Sequence, residues 1–229
     1  MQIEQPQPPA VPWTSRDVWL GLIVLILAMV IFIFFQALAL ILSMELNPGL
    51  AVILTELLLL APAWWFTMRK YDVGWKTLGL RGFKGAMIGL GCGLMMLSFI
   101  FNVVYGMFLS LFGMRAQADL VPVFDELSAP WLLLVGGAII APVVEEVFFR
   151  GFVFAGFRER YGWQKAAVIS SALFALLHIT PTSFIPIFIL GYIFAYLYQQ
   201  SDSIIPAISM HVLTNVLALG TAFLTANTN

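Results

Sequence analysis

From Val18 to Leu42 the chain carries no charged side chain. A helix rises 1.5 Å per residue and the hydrocarbon core of a bilayer is about 30 Å thick, so a run of this length reads as a membrane span. It is too long for the apolar core of a signal peptide, about 7–15 residues, and no clear small-residue cleavage site follows it. We read it as a retained span. Other blocks repeat the pattern, because 61% of the 229 residues are hydrophobic and 10% charged, against roughly 25% charged in a soluble domain. Seven candidate spans result, at about 18–43, 50–68, 85–112, 131–157, 163–179, 183–199 and 204–224. The expected fold class is all-α, a polytopic membrane helical bundle of seven transmembrane helices, or eight if one helix is broken or re-entrant.

Three regions are expected: a polar, proline-rich tail over 1–16, N-terminal transmembrane helices over 17–129, and a transmembrane core over 130–224 that holds the chemistry. The net charge of −1 gives no reason to expect a nucleic-acid partner, and the single cysteine, Cys92, excludes an intrachain disulfide. The loop charges set the orientation. Arg69, Lys70, Lys76, Arg81 and Lys84 oppose Asp72 alone, and Arg158, Arg160 and Lys165 oppose Glu159. Loops of the other side hold Glu45, and then Arg115, Asp119, Asp125 and Glu126. Alternating spans put both basic loops on one side, which the positive-inside rule makes cytoplasmic, with the N-terminus. Gly85, Gly89 and Gly93 form overlapping GxxxG spacings, expected to be a packing face. Asn102 is expected to bond between helices, and Trp13, Trp64, Trp65, Tyr71 and Trp163 to form an interfacial belt.

An ionisable residue deep in a span costs about 2.5–3.5 kcal/mol on insertion scales, and such residues usually mark function. Here they cluster late in the chain. Glu145, Glu146 and Arg150 stand in the fourth span, His178 ends the fifth, and His211 and Asn215 lie in the seventh. Both histidines of the protein are in this set. Glu146 and Arg150 are i,i+4 in the favourable acid-first order, so Arg150 can hold Glu146 ionised. Glu145 points about 100° away, with no cation on its own helix. Phe174 and His178 share one face, as do His211 and Asn215. Glu145 and His178 are equally far from the turn at Tyr161–Gly162, so an antiparallel hairpin lets them face each other. His211 lies about 10 Å from its own turn near Asp202 and Glu145 roughly 24 Å from its turn. The levels agree only if the first hairpin projects further or the helices tilt. Glu56, in LTELLLL of the second span, is isolated; it either lines the cavity or serves helix pairing.

Two carboxyls, two histidines, an arginine and an asparagine suit hydrolysis. A carboxylate can take a proton from water, a histidine can assist or protonate a leaving amine, and histidine with asparagine can stabilise an oxyanion. Ser170 and Ser171 lie on the His178 helix, but no G-x-S-x-G elbow exists.

The order Glu145-Glu146-x-x-x-Arg150, Phe174-x-x-x-His178 and His211-x-x-x-Asn215, each in a separate apolar helix, resembles the CPBP family. That family contains type II CAAX prenyl endopeptidases and bacteriocin-processing and immunity-associated membrane proteins. Phe149-Arg150-Gly151 and Ile205-Pro206-Ala207 upstream of His211 suit the same pattern, over about residues 130–220. The resemblance implies an intramembrane endopeptidase without a cofactor. Glu145 would activate water with His178 nearby, Glu146 and Arg150 would orient the site, and His211 with Asn215 would form the oxyanion hole. The partners would be a peptide or protein substrate at the membrane and the lipid bilayer, with a bacterial inner membrane as the expected location. Zinc held by Glu145, His178 and His211 is the metal alternative, weakened by the lack of H-E-x-x-H and by the neighbouring Arg150. A non-catalytic scaffold or immunity protein of the same fold, and a proton-relay transporter, are the other classes.

Overall fold

The computed structural model describes residues 9–44, 47–116, 119–125, 127 and 129–227. Residues 1–8 of the expected tail lie outside the described residues, as do Glu45, Glu126 and the side chain of Asp125. The described chain is a helical bundle: α1 (Ser15–Ile41), α2 (Pro48–Arg69), α3 (Ala86–Ser110), α4 (Val121–Asp125), α5 (Pro130–Tyr161), α6 (Trp163–Leu177), α7 (Phe184–Ser201) and α8 (Ile205–Ala226), with no strand among the described residues. Helices α1, α2, α3, α5, α7 with its leading turn from Pro181, and α8 are long and apolar enough to cross a membrane. The expected fifth span is shorter than the others. α6 has 15 residues, about 22 Å of rise, and stops at His178 because Ile179 turns the backbone left-handed (φ 58°) ahead of Pro181.

Capping explains where the first helices begin. The Thr14 side chain accepts from Asp17 N and the Asp17 carboxylate accepts from Thr14 N, a reciprocal box that satisfies two donors of the first turn. Asp17 also pairs with Lys70 and accepts from Tyr71 Oη at 2.6 Å, which ties the start of α1 to the end of α2. Burial, together with the bond to Asp17, pushes the Tyr71 phenol above its usual value. Asn47 caps α2 through Leu50 N, with Pro48 in its first turn.

α5 is the central helix. α1, α2, α6, α7 and α8 all pack on it, while α3 lies outside against α7 and α8. Its apolar half is aromatic, with Phe148, Phe149, Phe152, Phe154 and Phe157 all buried. Its backbone twice widens into i→i+5 turns, at Gly136–Ile140 and Val147–Phe154. Such π segments recur at functional sites.

One end of the bundle gathers the basic loops. Arg160 donates to Ser15 Oγ, Arg158 to the Pro9 carbonyl, and Arg81 pairs with Asp202 at 2.9 Å. The N-terminal segment and the two basic loops therefore share an end, as the alternation of spans requires. At the opposite end Ser183 Oγ donates to the Ala116 carbonyl and Phe124 packs on Phe223.

Three expectations change. Trp13 is no belt residue: it is buried, its indole N–H donating to the Phe152 carbonyl at 3.0 Å. The described part of the tail is thus anchored in the core. Asn102 bonds to Ser98 O in its own helix. The GxxxG face of α3 is uncovered, since a Cβ on Gly85, Gly89 or Gly93 would meet nothing within 4 Å; the packed glycine is Gly91, against Met210 and Leu197. Small residues permit close approach but do not supply the partner.

At Gly151 a Cβ would lie 2.8 Å from the Leu78 carbonyl oxygen, which belongs to backbone and cannot swing away. Gly151→Ala is expected to destabilise the protein by about 1–3 kcal/mol, the usual cost of overpacking. Gly89→Ala, in open space, is expected to be neutral or slightly stabilising, because alanine is the better helix former. Thermal unfolding of both variants in detergent checks the pair, and equal midpoints would contradict the packing described.

Candidate active site

The buried ion pair forms within one helix. Glu146 and Arg150 lie one turn apart on α5, and Arg150 Nη1 donates to Glu146 Oε1 at 2.8 Å with both side chains fully buried. Two free charges at that depth would be costly, so the surroundings must complete the pair. Arg150 Nη2 donates to the Gly191 carbonyl of α7 at 2.9 Å, and the guanidinium lies over the rings of Phe174 and Phe194, 4.5 and 5.2 Å from their centroids. Gly191 must be small for this: a Cβ there would lie 3.0 Å from Ser171 Cβ and 3.2 Å from Arg150 Nη2.

Glu146 Oε1 has a second partner, His211 Nδ1 of α8, at 2.9 Å. A carboxylate only accepts, so His211 carries its proton on Nδ1 and turns Nε2 away from Glu146. Nε2 lies 3.5 Å from Glu145 Oε2. The imidazole thus bridges the two glutamates, with the ionised, arginine-held one fixing its orientation. Phe194 stacks on the same imidazole with centroids 4.9 Å apart. Glu145 differs from Glu146 in that no guanidinium bonds it, its Oε2 makes no hydrogen bond among the described residues, and its side chain retains 13% exposure.

The depth mismatch between His211 and Glu145 disappears in three dimensions. Ile204 N, just before α8, donates to Gly79 O, and the neighbouring Leu78 sits against Gly151. α8 therefore begins level with Gly151, and the last turns of α5 run past it together with the start of α6.

His178 caps the end of α6, where its Nδ1 contacts the Phe174 carbonyl at 2.9 Å. A carbonyl only accepts, so Nδ1 carries the proton and Nε2 keeps its lone pair when the ring is neutral. The hairpin argument put His178 opposite Glu145. The ion-pair contact of Glu145 is with His211 instead, and Phe174 packs edge-on against both imidazoles, 4.8 Å from His178 and 5.7 Å from His211. His178 remains within electrostatic reach of His211 and Arg150. Asn215, one turn beyond His211, donates from Nδ2 to Gly137 O at 2.9 Å, a carbonyl in the first widened turn of α5. One of its two amide hydrogens is therefore already used.

All six residues selected from sequence lie at the meeting of α5, α6, α7 and α8. Sequence reasoning missed Gly191 as a carbonyl acceptor and Phe194 as the floor under His211. The lone glycine in FILGYIF was the available signal, since a helix-interior glycine implies close approach. Glu56 of α2 is buried as well.

No three His, Cys, Asp or Glu side chains among the described residues converge to hold a metal ion.

A family model described as type II CAAX prenyl endopeptidase Rce1-like matches residues 127–217. The segment contains all six site residues and excludes α1 to α3. A Bacillus subtilis (strain 168) protein named "Putative membrane peptidase YdiL" is 26% identical over 105 residues, which is 46% of this chain and 43% of that protein. The chain thus spans less than half the length of that curated relative in the match. No solved structure matches the chain.

Proposed function

From the match of residues 127–217 to the type II CAAX prenyl endopeptidase Rce1-like family model, we propose that this multi-pass membrane protein is an endopeptidase that hydrolyses peptide bonds with a glutamate-activated water and no metal. The observation that carries the reading is the unequal treatment of two adjacent glutamates. Glu146 is neutralised by Arg150 and His211, whereas Glu145 has no bonded cation and faces His211 Nε2.

In this mechanism Glu145 takes a proton from water as the oxygen attacks the scissile carbonyl. A C–O bond forms and the carbonyl π electrons move to oxygen. The second Nδ2 hydrogen of Asn215 supplies a donor for that oxyanion. Collapse breaks the C–N bond, and the proton held by Glu145 passes to the leaving nitrogen, directly or through His178 Nε2. Glu146 and Arg150 act through His211: they hold its tautomer and angle, and a fixed geometry is worth more than a fluctuating one in a low-dielectric site. The substrate class is a peptide presented at the membrane. The end that gathers Arg81, Arg158 and Lys70 is the cytoplasmic face by the positive-inside rule, with the N-terminus on that side.

The test reconstitutes the purified protein in vesicles with a peptide library, half of it soluble and half carrying a lipid anchor. Mass spectrometry then reads the new amino termini. Cleavage that persists in chelator and favours anchored peptides is expected. Folded protein that generates no new termini in either half would support a scaffold of the same fold instead.

A further inference from the structure

A second group of buried polar atoms sits at the end of the bundle that gathers the basic loops, about 18 Å along α5 from Glu146. Gly79, with φ 89°, brings the loop after α2 against α7, where a Cβ on it would lie 2.8 and 3.1 Å from ring atoms of Tyr198. Gly79 O accepts from Arg81 N and from Ile204 N, each at 2.9 Å, and Ser203 Oγ donates to Arg81 O at 2.6 Å. The loop that carries Arg81 is therefore bound to the turn between α7 and α8. Arg81 Nη1 pairs with Asp202 Oδ2 of that turn at 2.9 Å, and Asp202 N donates to Tyr198 O at 2.9 Å. From α5, the Arg158 guanidinium lies 5.7 Å from the ring centroid of Tyr198 and 5.6 Å from that of Phe154.

Three polar atoms of this cluster are buried without a hydrogen bond among the described residues: Tyr198 Oη, Arg81 Nε and Asp202 Oδ1. Tyr198 is 0% exposed, and a phenol hydroxyl at that depth costs free energy unless it finds a partner. Arg158 is 8% exposed, and its bonds to Gln199 Oε1 at 3.5 Å and Pro9 O at 3.3 Å are longer than the usual range of about 2.7–3.2 Å. Among the described residues Asp202 is the one carboxylate in ion-pair contact with either guanidinium, so positive charge is in excess. α8 begins at Ile205, three residues beyond Asp202, and the positive end of its dipole adds to that potential. Arg81 and Asp202 keep 27% and 32% side-chain exposure and form the mouth, with Tyr198 and Arg158 behind them. Two guanidinium forks and a hydroxyl suit an anion whose acceptor oxygens point in several directions, as those of phosphate do and the two of a planar carboxylate do not. The apolar span of α7 ends at Ser201, so the cluster lies at the level of lipid headgroups. We infer that Arg81, Arg158 and the Tyr198 hydroxyl form a binding site for a phosphate group, that of an anionic phospholipid headgroup or of free phosphate. Occupancy ties the Arg81 loop, α5 and α7 to one anion, and it does not depend on the chemistry at Glu145.

Tyr198→Phe separates this site from general surface charge, because it removes only a hydroxyl that has no partner among the described residues. Without phosphate its thermal midpoint is expected to equal or exceed that of wild type. Its affinity for phosphate is expected to fall by about 10- to 100-fold, the worth of a hydrogen bond to a charged group. Arg81→Lys keeps a charge opposite Asp202 but loses the fork, and a similar fall is expected. Lys76→Gln and Lys84→Gln, on exposed lysines of the same end, are expected to leave the affinity little changed. Thermal midpoints of the purified full chain, stripped of lipid and held in detergent micelles, read the binding. Inorganic phosphate is titrated against chloride of matched ionic strength, and phosphatidylglycerol or phosphatidylcholine is mixed into the micelles. A larger rise with phosphatidylglycerol than with phosphatidylcholine, with free phosphate acting only at much higher concentration, is expected and identifies the headgroup as the source. A rise with inorganic phosphate alone would support the same site with a ligand from solution. No rise with any of them beyond chloride would overturn the proposal. So would a rise that stays whole in Tyr198→Phe and Arg81→Lys but is lost in the lysine variants, since the diffuse basic surface would then hold the anion.

Discussion

Glu145→Gln is expected to lower peptide hydrolysis by about 10²- to 10⁴-fold, the range that a positioned general base contributes, while the fold survives. The physical case is the contrast between neighbours. Glutamine preserves volume and cannot take a proton from water. At position 145 it disturbs no hydrogen bond among the described residues, since Glu145 Oε2 makes none and its His211 contact is 3.5 Å. At position 146 the same change removes the negative charge from the oxygen that accepts from both Arg150 Nη1 and His211 Nδ1, and leaves a fully buried guanidinium without its counter-charge. Glu145→Gln should therefore lose kcat at an unchanged thermal midpoint, whereas Glu146→Gln should lose both. Single-turnover rates and unfolding midpoints of the two variants check the division. A Glu145→Gln enzyme with near-normal kcat would contradict it.

Arg150→Met is expected to destabilise the protein by about 3–5 kcal/mol, because removing one partner of a buried pair leaves the other charge uncompensated. Glu146 would keep only His211, and Gly191 O would lose its donor. Arg150→Lys should recover little of this. One ammonium on a flexible stem does not reproduce a planar fork that reaches Glu146 and Gly191 together while lying over Phe174 and Phe194. Thermal unfolding in detergent measures the loss, and a lysine variant as stable as wild type would show that the fork geometry does not matter.

The bundle and the clustering of its intramembrane polar residues were legible from residues alone for definite reasons. Membrane thickness sets the length of an apolar run, and charge at depth is costly enough to be conspicuous in sequence. The i,i+4 pair Glu146–Arg150 is local, so spacing alone predicted its contact. Contacts between elements were less accessible. A 100° helical step separates Glu145 from Glu146, yet both reach His211, at the start of a widened turn over Val147–Phe154 that no apolar periodicity announces. Glu145 was assigned to His178 by counting from a shared turn, which assumes that two helices run side by side to their ends; α8 starts alongside Gly151 and intervenes with His211. Gly89 and Gly93 announced a packing face that stays open, because a small residue allows a neighbour without specifying one.

The most direct measurement is cleavage of one membrane-anchored peptide by purified wild type and Glu145→Gln protein, each in excess chelator and then with zinc restored. A carboxylate base without metal requires chelator-resistant cleavage by wild type, no gain on adding zinc, and a product-free Glu145→Gln reaction from protein of unchanged thermal midpoint. Wild-type cleavage that stops in chelator and returns with zinc, or cleavage that persists in Glu145→Gln, would contradict the account.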